Sequence, residues 1–224
     1  MNRAQAGRLF DKLAAVTPEP RSELKFRSPF QLLVAVILSA QATDKSVNRV
    51  TGPLFAAHGS PWALLKLGER GLAREIRTIG LAPTKARNIV ATCARLLQKH
   101  HGQVPSTREE LEALPGVGRK TANVVLNVAF GQPTIAVDTH LFRLGNRTGL
   151  APGKTPREVE EGLLAIVPKR HRLLAHHYLI LHGRYVCKAR APECHHCPIA
   201  AECRFGEKAA PPAPAQRRKR AASG

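Results

Sequence analysis

The stretch Leu114-Pro115-Gly116-Val117-Gly118-Arg119-Lys120-Thr121-Ala122 joins two segments of helical periodicity. Upstream, Ser106-x-x-Glu109 has the form of a capping box, followed by Leu111 and Leu114 at helical spacing. Downstream, Val125, Val128 and Ala129 mark the apolar face of a second helix. Two phosphate-binding loops of similar composition are excluded. A P-loop needs its lysine directly after the last glycine, but Arg119 stands between Gly118 and Lys120. A dinucleotide loop of the form G-x-G-x-x-G needs a glycine where Thr121 stands. A helix–hairpin–helix turn fits. Glycines at 116 and 118 let the backbone approach a phosphate, which meets amides at the start of the following helix. Such a contact, made by Gly116, Val117, Gly118 and Arg119, reads no base and grips one strand of a duplex. A plain turn between two helices is the simpler alternative.

Helical periodicity also dominates on both sides of the hairpin. Leu9, Phe10 and Leu13 share one face between Met1 and Val16, and Pro18-Glu19-Pro20 ends that segment. Ser28-Pro29 opens a second helix, apolar nearly all round from Phe30 to Leu38. Asp44 is suited to cap a third, and Gly59-Ser60-Pro61 starts a fourth. Further helices are predicted over 69–78, 84–100, 107–114, 119–130, 138–147, 156–166 and 171–182, bounded by Gly, Pro, Ser or Thr. No stretch has sustained period-two alternation, so the expected fold class is all-α, with about ten short helices.

The 224 residues carry 35 Lys plus Arg against 16 Asp plus Glu, a net charge of +19. That surplus selects polyanions, with nucleic acid as the default partner. Residues 208–224 hold Lys208, Arg217, Arg218, Lys219 and Arg220 with no acid, in a Pro/Ala-rich context that reads as a flexible basic tail. Aromatics are only 4%, which disfavours a single-strand binder that stacks bases and favours a duplex reader working through phosphates. The longest apolar run, Phe30 to Leu38, falls short of the ~20 residues of a bilayer span, and no signal peptide is evident. A soluble, intracellular protein without a membrane partner is expected.

Cys187, Cys194, Cys197 and Cys203 are spaced C-x6-C-x2-C-x5-C, while Cys93 stands alone. Four cysteines in so short a span without secretory context indicate a metal site rather than disulfides. Spacing leaves two metals open. A zinc ribbon has two C-x2-C knuckles and this chain has one; all-thiolate ligation also suits an iron–sulfur cluster. Lys188, Arg190 and Arg204 make the loop basic, and His195 and His196 are surplus to four thiolates.

Lys120 has two readings, a phosphate contact or a nucleophilic amine. As a nucleophile it must be present as the free amine, which the positive end of a helix and the neighbouring Arg119 both favour. Asp138 is one of only three aspartates. Before Thr139-His140-Leu141 it reads as a helix N-cap, and equally as a carboxylate that takes a proton or stabilises a sugar cation. The two roles are compatible, because a cap fixes the carboxylate in place.

Together the hairpin Leu114–Ala122, the segment Val137-Asp138-Thr139-His140 and the cysteine loop resemble the endonuclease III family, the bifunctional base-excision-repair glycosylases of bacteria. The resemblance covers about residues 1–205 and includes Leu38-Ser39-Ala40-Gln41-Ala42-Thr43-Asp44 and Leu179-Ile180-Leu181-His182-Gly183-Arg184. It implies two helical domains flanking a DNA-binding cleft: a six-helix barrel over 22–132 with the hairpin, and a second domain from 1–21 and 133–207. It implies a [4Fe-4S] cluster on Cys187, Cys194, Cys197 and Cys203. Lys120 matches the Schiff-base lysine and Asp138 the essential acid. Gln41 matches the residue that fills the gap left by a flipped base, and Leu81 the wedge, although Ala82-Pro83-Thr84 departs from commoner loop sequences. His140 joins the DNA-contacting set.

The implied substrate is double-stranded DNA containing oxidised pyrimidines or abasic sites, acted on by a monomer in the bacterial cytoplasm, on the nucleoid. Base flipping, loss of the base through a Lys120 Schiff base and β-elimination at the abasic site would follow in that order. A related adenine-mismatch glycosylase ordinarily has serine at the Lys120 position and an added C-terminal domain. The alternative from another class is a non-catalytic DNA-binding module with a metal-pinned loop.

Overall fold

A computed structural model describes residues 1–208. Side-chain caps set most of the helix starts. Asn2 caps α1 (Arg3–Val16), Ser28 caps α2 (Pro29–Ser39), Thr43 caps α3 (Asp44–His58) and Ser60 caps α4 (Pro61–Glu75). After α5 (Ala82–Lys99), Thr107 caps α6 (Arg108–Glu112); after α7 (Arg119–Phe130), Asp138 caps α8 (Thr139–Thr148). Thr155 caps α9 (Pro156–Ile166), and α10 (Ala175–Tyr185) completes the order. The all-α expectation holds, with no strand among the described residues. No helix among them is long and apolar enough to cross a membrane. The basic tail expected over 208–224 lies outside the described residues apart from Lys208.

Several boundaries move by a residue or more. Thr43 rather than Asp44 caps α3, since its hydroxyl reaches the Ser46 N–H while Asp44 occupies the first turn. The cap of α6 is likewise one residue later than expected, Thr107 receiving the Glu110 N–H. The helices expected from 61 and from 69 are one element bent at Gly68, whose φ of +71° breaks the α-helical ladder. Residues 169–171 form a 3₁₀ turn, which delays α10 to Ala175.

Two apolar cores organise the chain. One gathers Leu32 to Leu38 of α2 with side chains of α3 to α7; the other joins Leu9, Phe10 and Leu13 of α1 to α8, α9 and α10. The segment between α7 and α8 threads the boundary by alternation: Ala136 enters the first core, and its neighbours Ile135 and Val137 enter the second. Asp138 follows directly.

Candidate active site and cysteine loop

The hairpin is held from beneath. The Thr92 hydroxyl of α5 donates to the Pro115 carbonyl at 2.8 Å, and Arg95 donates to the Ala113 carbonyl at 2.5 Å. Gly116 has φ +77°, and a Cβ there would stand 2.9 Å from Asn88 Cβ, so both backbone and space require glycine. Val117 is buried, and its N–H is given to the Leu114 carbonyl at 3.1 Å. Gly118 is different: a Cβ there would meet nothing within 4 Å. Gly118 is also the N-cap of α7 and supplies no side-chain hydrogen bond, leaving first-turn amides of α7 uncapped beside open space. Lys120, in that turn, is exposed.

Arg119 is committed elsewhere. Its Nε and Nη2 each donate at 2.9 Å to the two oxygens of Glu160, a buried residue of α9. Hydrogen bonding to Glu160 holds the guanidinium in its charged form. The positive charge expected to act on Lys120 is therefore offset by a carboxylate.

Asp138 Oδ1 accepts the His140 and Leu141 N–H groups at 2.8 and 2.9 Å. Oδ2 takes no hydrogen bond among the described residues. Two asparagines one turn apart on α7 place the preceding segment. Asn123 donates to the Ile135 carbonyl, and Asn127 donates to the carbonyls of Gln132, Thr134 and Leu173. The Thr134 hydroxyl returns a bond to the Asn123 carbonyl at 2.6 Å. The same helix thus begins with Lys120 and pins the strap that ends at Asp138.

His176 of α10 closes this region from below. It is 4% exposed, and its Nδ1 has no partner among the described residues. Burial pushes its pKa down to about 3, with the charges of His177 and Lys120 acting in the same direction and the Ala136 carbonyl opposing. Helix α7, the strap and the residue leading into α10 are therefore joined through Asn123 and Asn127.

Gln41 and Leu81 are both exposed and both left-handed, at φ +57° and +62°. Leu81 is 60% exposed, a large apolar side chain in water at the start of α5. His140 is half-buried against Gly183, where a Cβ would lie 2.9 Å from His140 Cβ, and its Nδ1 is 3.2 Å from Arg143 Nη2.

The four loop cysteines line one small cavity together with Arg147, His182 and Ile199. Among the described residues no group of three His, Cys, Asp or Glu side chains is arranged to hold a single metal ion. Four thiols around one shared cavity are a donor set that suits either a zinc ion or an iron–sulfur cluster. Burial pushes the Cys197 thiol up to about 11 and raises Cys203, so thiolates there require a cationic group among them. Cys93 differs: fully buried, with its thiol pushed up to about 12, it is an inert core residue. His195 and His196 are exposed, the latter paired with Glu193 at 2.6 Å.

The profile of the HhH-GPD superfamily, base excision DNA repair proteins, matches residues 34–169. Endonuclease III of Escherichia coli strain K12 is 55% identical over 208 residues, 93% of this chain and 99% of that relative. The chain belongs to the endonuclease III family. Endonuclease III of Treponema pallidum is 54% identical, covering 87% of this chain and 92% of its own. A trapped covalent intermediate of endonuclease III with DNA matches at TM-score 0.88 and 46% identity, over 93% of this chain and 98% of that one. Membership makes the chain a base-excision-repair glycosylase.

Within this endonuclease III site, several residues escaped the sequence reading. Asn123 and Asn127 are buried polar residues at i, i+4 spacing on an apolar helix, a signal that was available. Arg143 and Arg147, also one turn apart, fasten α8 to the cysteine loop. Arg143 donates to the Gly183 and Cys187 carbonyls; Arg147 donates to the Lys188 and Ala189 carbonyls, lies 3.6 Å from Cys187 Sγ and stacks over Phe205. Helix α8, about 15 Å long, so joins Asp138 at one end to the cysteines at the other.

Proposed function

We propose that this enzyme removes oxidised pyrimidines from duplex DNA with Lys120 as nucleophile and then cleaves the abasic site by β-elimination. What supports the reading is an exposed lysine in the uncapped first turn of α7 and, at the end of the strap that the same helix pins through Asn123, a carboxylate whose second oxygen is free. The Lys120 amine attacks C1′ of the flipped nucleotide as the base departs. Asp138, fixed by its cap, takes the amine's proton or stabilises the positive charge that develops on the sugar. The resulting iminium acidifies the 2′-proton, whose loss expels the 3′ phosphate. Flipping costs a few kcal/mol, least for a base whose pairing or stacking is damaged.

The amides beside Gly116 and Gly118 and the main-chain N–H of Arg119 receive a strand phosphate, with Val117 anchoring the turn from beneath. Gln41 fills the gap, Leu81 wedges the opposite strand, and His140 adds a contact at the start of α8. The boundary between the two cores supports a barrel domain over 22–132 and a second domain from 1–21 and 133–207, with DNA in the cleft between them. Cys187, Cys194, Cys197 and Cys203 hold a [4Fe-4S] cluster, which pins the basic loop and takes no part in glycosidic chemistry. The enzyme acts as a monomer in the bacterial cytoplasm, on nucleoid DNA.

Borohydride reduction tests the reading. A covalent adduct forms with duplex containing an oxidised pyrimidine and is absent with Lys120→Ala. Trapping that survives in this variant removes Lys120 as nucleophile.

A further inference from the structure

Lys85 faces the core of the first domain, on the same side of α5 as Ala82, Ala86 and Ile89, and is 5% exposed. A buried ammonium is costly unless it is paired. Lys85 meets no acid. Its Nζ donates to the Leu38 carbonyl at 2.9 Å and the Ala40 carbonyl at 2.6 Å, at the C-terminal end of α2 where the helix dipole is negative. Burial lowers its pKa. An apolar side chain would fill this place without that penalty.

What the charge touches gives it a purpose. The Ala40 carbonyl belongs to the peptide plane that delivers the Gln41 nitrogen, so fixing that oxygen fixes the direction in which Gln41 leaves the helix. Gln41 is left-handed. One helical turn before Lys85 stands Leu81, also left-handed, whose carbonyl accepts the Lys85 main-chain N–H at 3.0 Å. Among the described residues only Gln41, Leu81 and His101 are non-glycine residues with positive φ. Such a conformation is strained for a residue with a side chain and persists where the surroundings impose it. Lys85 thus holds the peptide that leads into one of the three, through its ammonium on the Ala40 carbonyl, and follows another by one turn of the same helix, through its main-chain bond to the Leu81 carbonyl.

We infer that Lys85 is a positioning residue that sets Gln41 and Leu81 at a fixed separation, so that gap filler and wedge enter the duplex as one unit. The inference rests on the roles proposed above for those two residues. It assigns to a core position a function in opening the duplex.

The test compares two substrates. Single-turnover cleavage of a duplex with an oxidised pyrimidine needs filler and wedge; borohydride trapping on a preformed abasic site in a single strand needs neither. Lys85→Met is expected to slow the duplex reaction at least tenfold and leave single-strand trapping within twofold. Fluorescence of a 2-aminopurine beside the lesion, which reports unstacking, falls in parallel. Combined with Gln41→Ala or Leu81→Ala, Lys85→Met slows the duplex reaction less than threefold beyond the slower single variant. Multiplicative losses in both combinations, equal losses on both substrates, or a duplex rate within twofold of the parent overturn the inference. If Lys85→Met does not fold, Lys85→Gln, which keeps one donor, is judged on the same duplex-to-single-strand ratio. Where Gln41→Ala and Leu81→Ala slow the duplex reaction and the Lys85 variants do not, this inference alone fails. Where neither alanine variant slows it, the filler and wedge roles fail and the inference falls with them.

Discussion

The Arg119 guanidinium and the Glu160 carboxylate meet in two parallel hydrogen bonds of 2.9 Å, which tie the first turn of α7 to α9. Glu160 is almost wholly buried and Arg119 about one-third exposed. The pair therefore bridges the hairpin and the second core, and the arginine that precedes Lys120 in sequence is structural.

Removing one partner strands the other. Glu160→Leu is expected to destabilise the fold by about 1–3 kcal/mol, a value below that of a fully buried pair because water reaches Arg119. The double variant Arg119→Leu/Glu160→Leu recovers part of that loss, because no charge is left unpaired. Thermal denaturation of the three variants measures this. Arg119→Leu should also leave the salt dependence of DNA binding unchanged, since that guanidinium is already neutralised; a slope reduced by about 0.9 would make it a phosphate contact.

Asp138 combines two roles that substitution separates. Asn retains the oxygen that accepts from His140 and Leu141 but loses the charge. Asp138→Asn should keep its melting temperature and duplex affinity while losing at least a hundredfold in single-turnover base release. Asp138→Ala should lose the same activity and in addition about 1 kcal/mol of stability through the missing cap. If the asparagine variant loses affinity along with turnover, Asp138 acts mainly as a structural cap.

Those two residues show what was legible in the sequence. Asp138 announced both roles because capping is local: the acid, the helix start and the apolar turn lie within a few residues. Arg119 did not, because its partner is 41 residues away and only the tertiary fold brings Glu160 to it. The same division holds elsewhere. Ser28, Ser60 and Thr155 cap helices where composition placed them, whereas the cap of α6 shifted because Ser106 and Thr107 are locally equivalent candidates. The left-handed backbone at Gln41 and Leu81 has no glycine or asparagine to mark it, so nothing local predicted it. The cysteine spacing identified the loop, but not the two arginines of α8 that hold it.

His176 gives the fold a pH dependence of known sign. Its folded-state pKa is about 3 against an ordinary 6.5, so the native state excludes a proton that the unfolded chain accepts. The associated stability is fully present above about pH 6.5 and is lost as pH falls toward 3, by roughly a few kcal/mol. Lys120 and Arg184 are the cations facing it, and His177, whose own pKa burial lowers, is its titratable neighbour. Urea denaturation at pH 7 and pH 4.5 should show a smaller difference for His176→Leu than for the parent protein. An equal difference would remove His176 as the source.

Loss of the proposed cluster should act on the loop before the hairpin. The segments bearing Cys187 and Cys203 are joined to α8 by Arg143, Arg147 and the Arg204–Thr148 main-chain bond. Cys203→Ser or oxidative removal of iron should therefore open residues 187–208 to protease while Lys120 still traps a single-stranded abasic site. Iron and sulfide analysis across the series gives the occupancy. Joint loss of trapping and loop protection would mean that the loop supports the active site as well.

The two hairpin glycines should fail in different ways. At Gly116 a methyl group meets Asn88 Cβ at 2.9 Å on a backbone with φ +77°, so Gly116→Ala must shift the turn or α5. Its expected signature is a lower melting temperature together with weaker duplex binding. At Gly118 the backbone is ordinary, φ −97°, and the methyl meets nothing within 4 Å. Gly118→Ala should fold as the parent does. If the open space beside the uncapped α7 amides receives a phosphate, the added methyl keeps that phosphate away. Duplex affinity then falls severalfold at low salt, and the log–log salt slope becomes shallower by up to about 0.9, the value of one phosphate. Unchanged affinity and slope in a fully folded Gly118→Ala would show that the strand passes elsewhere.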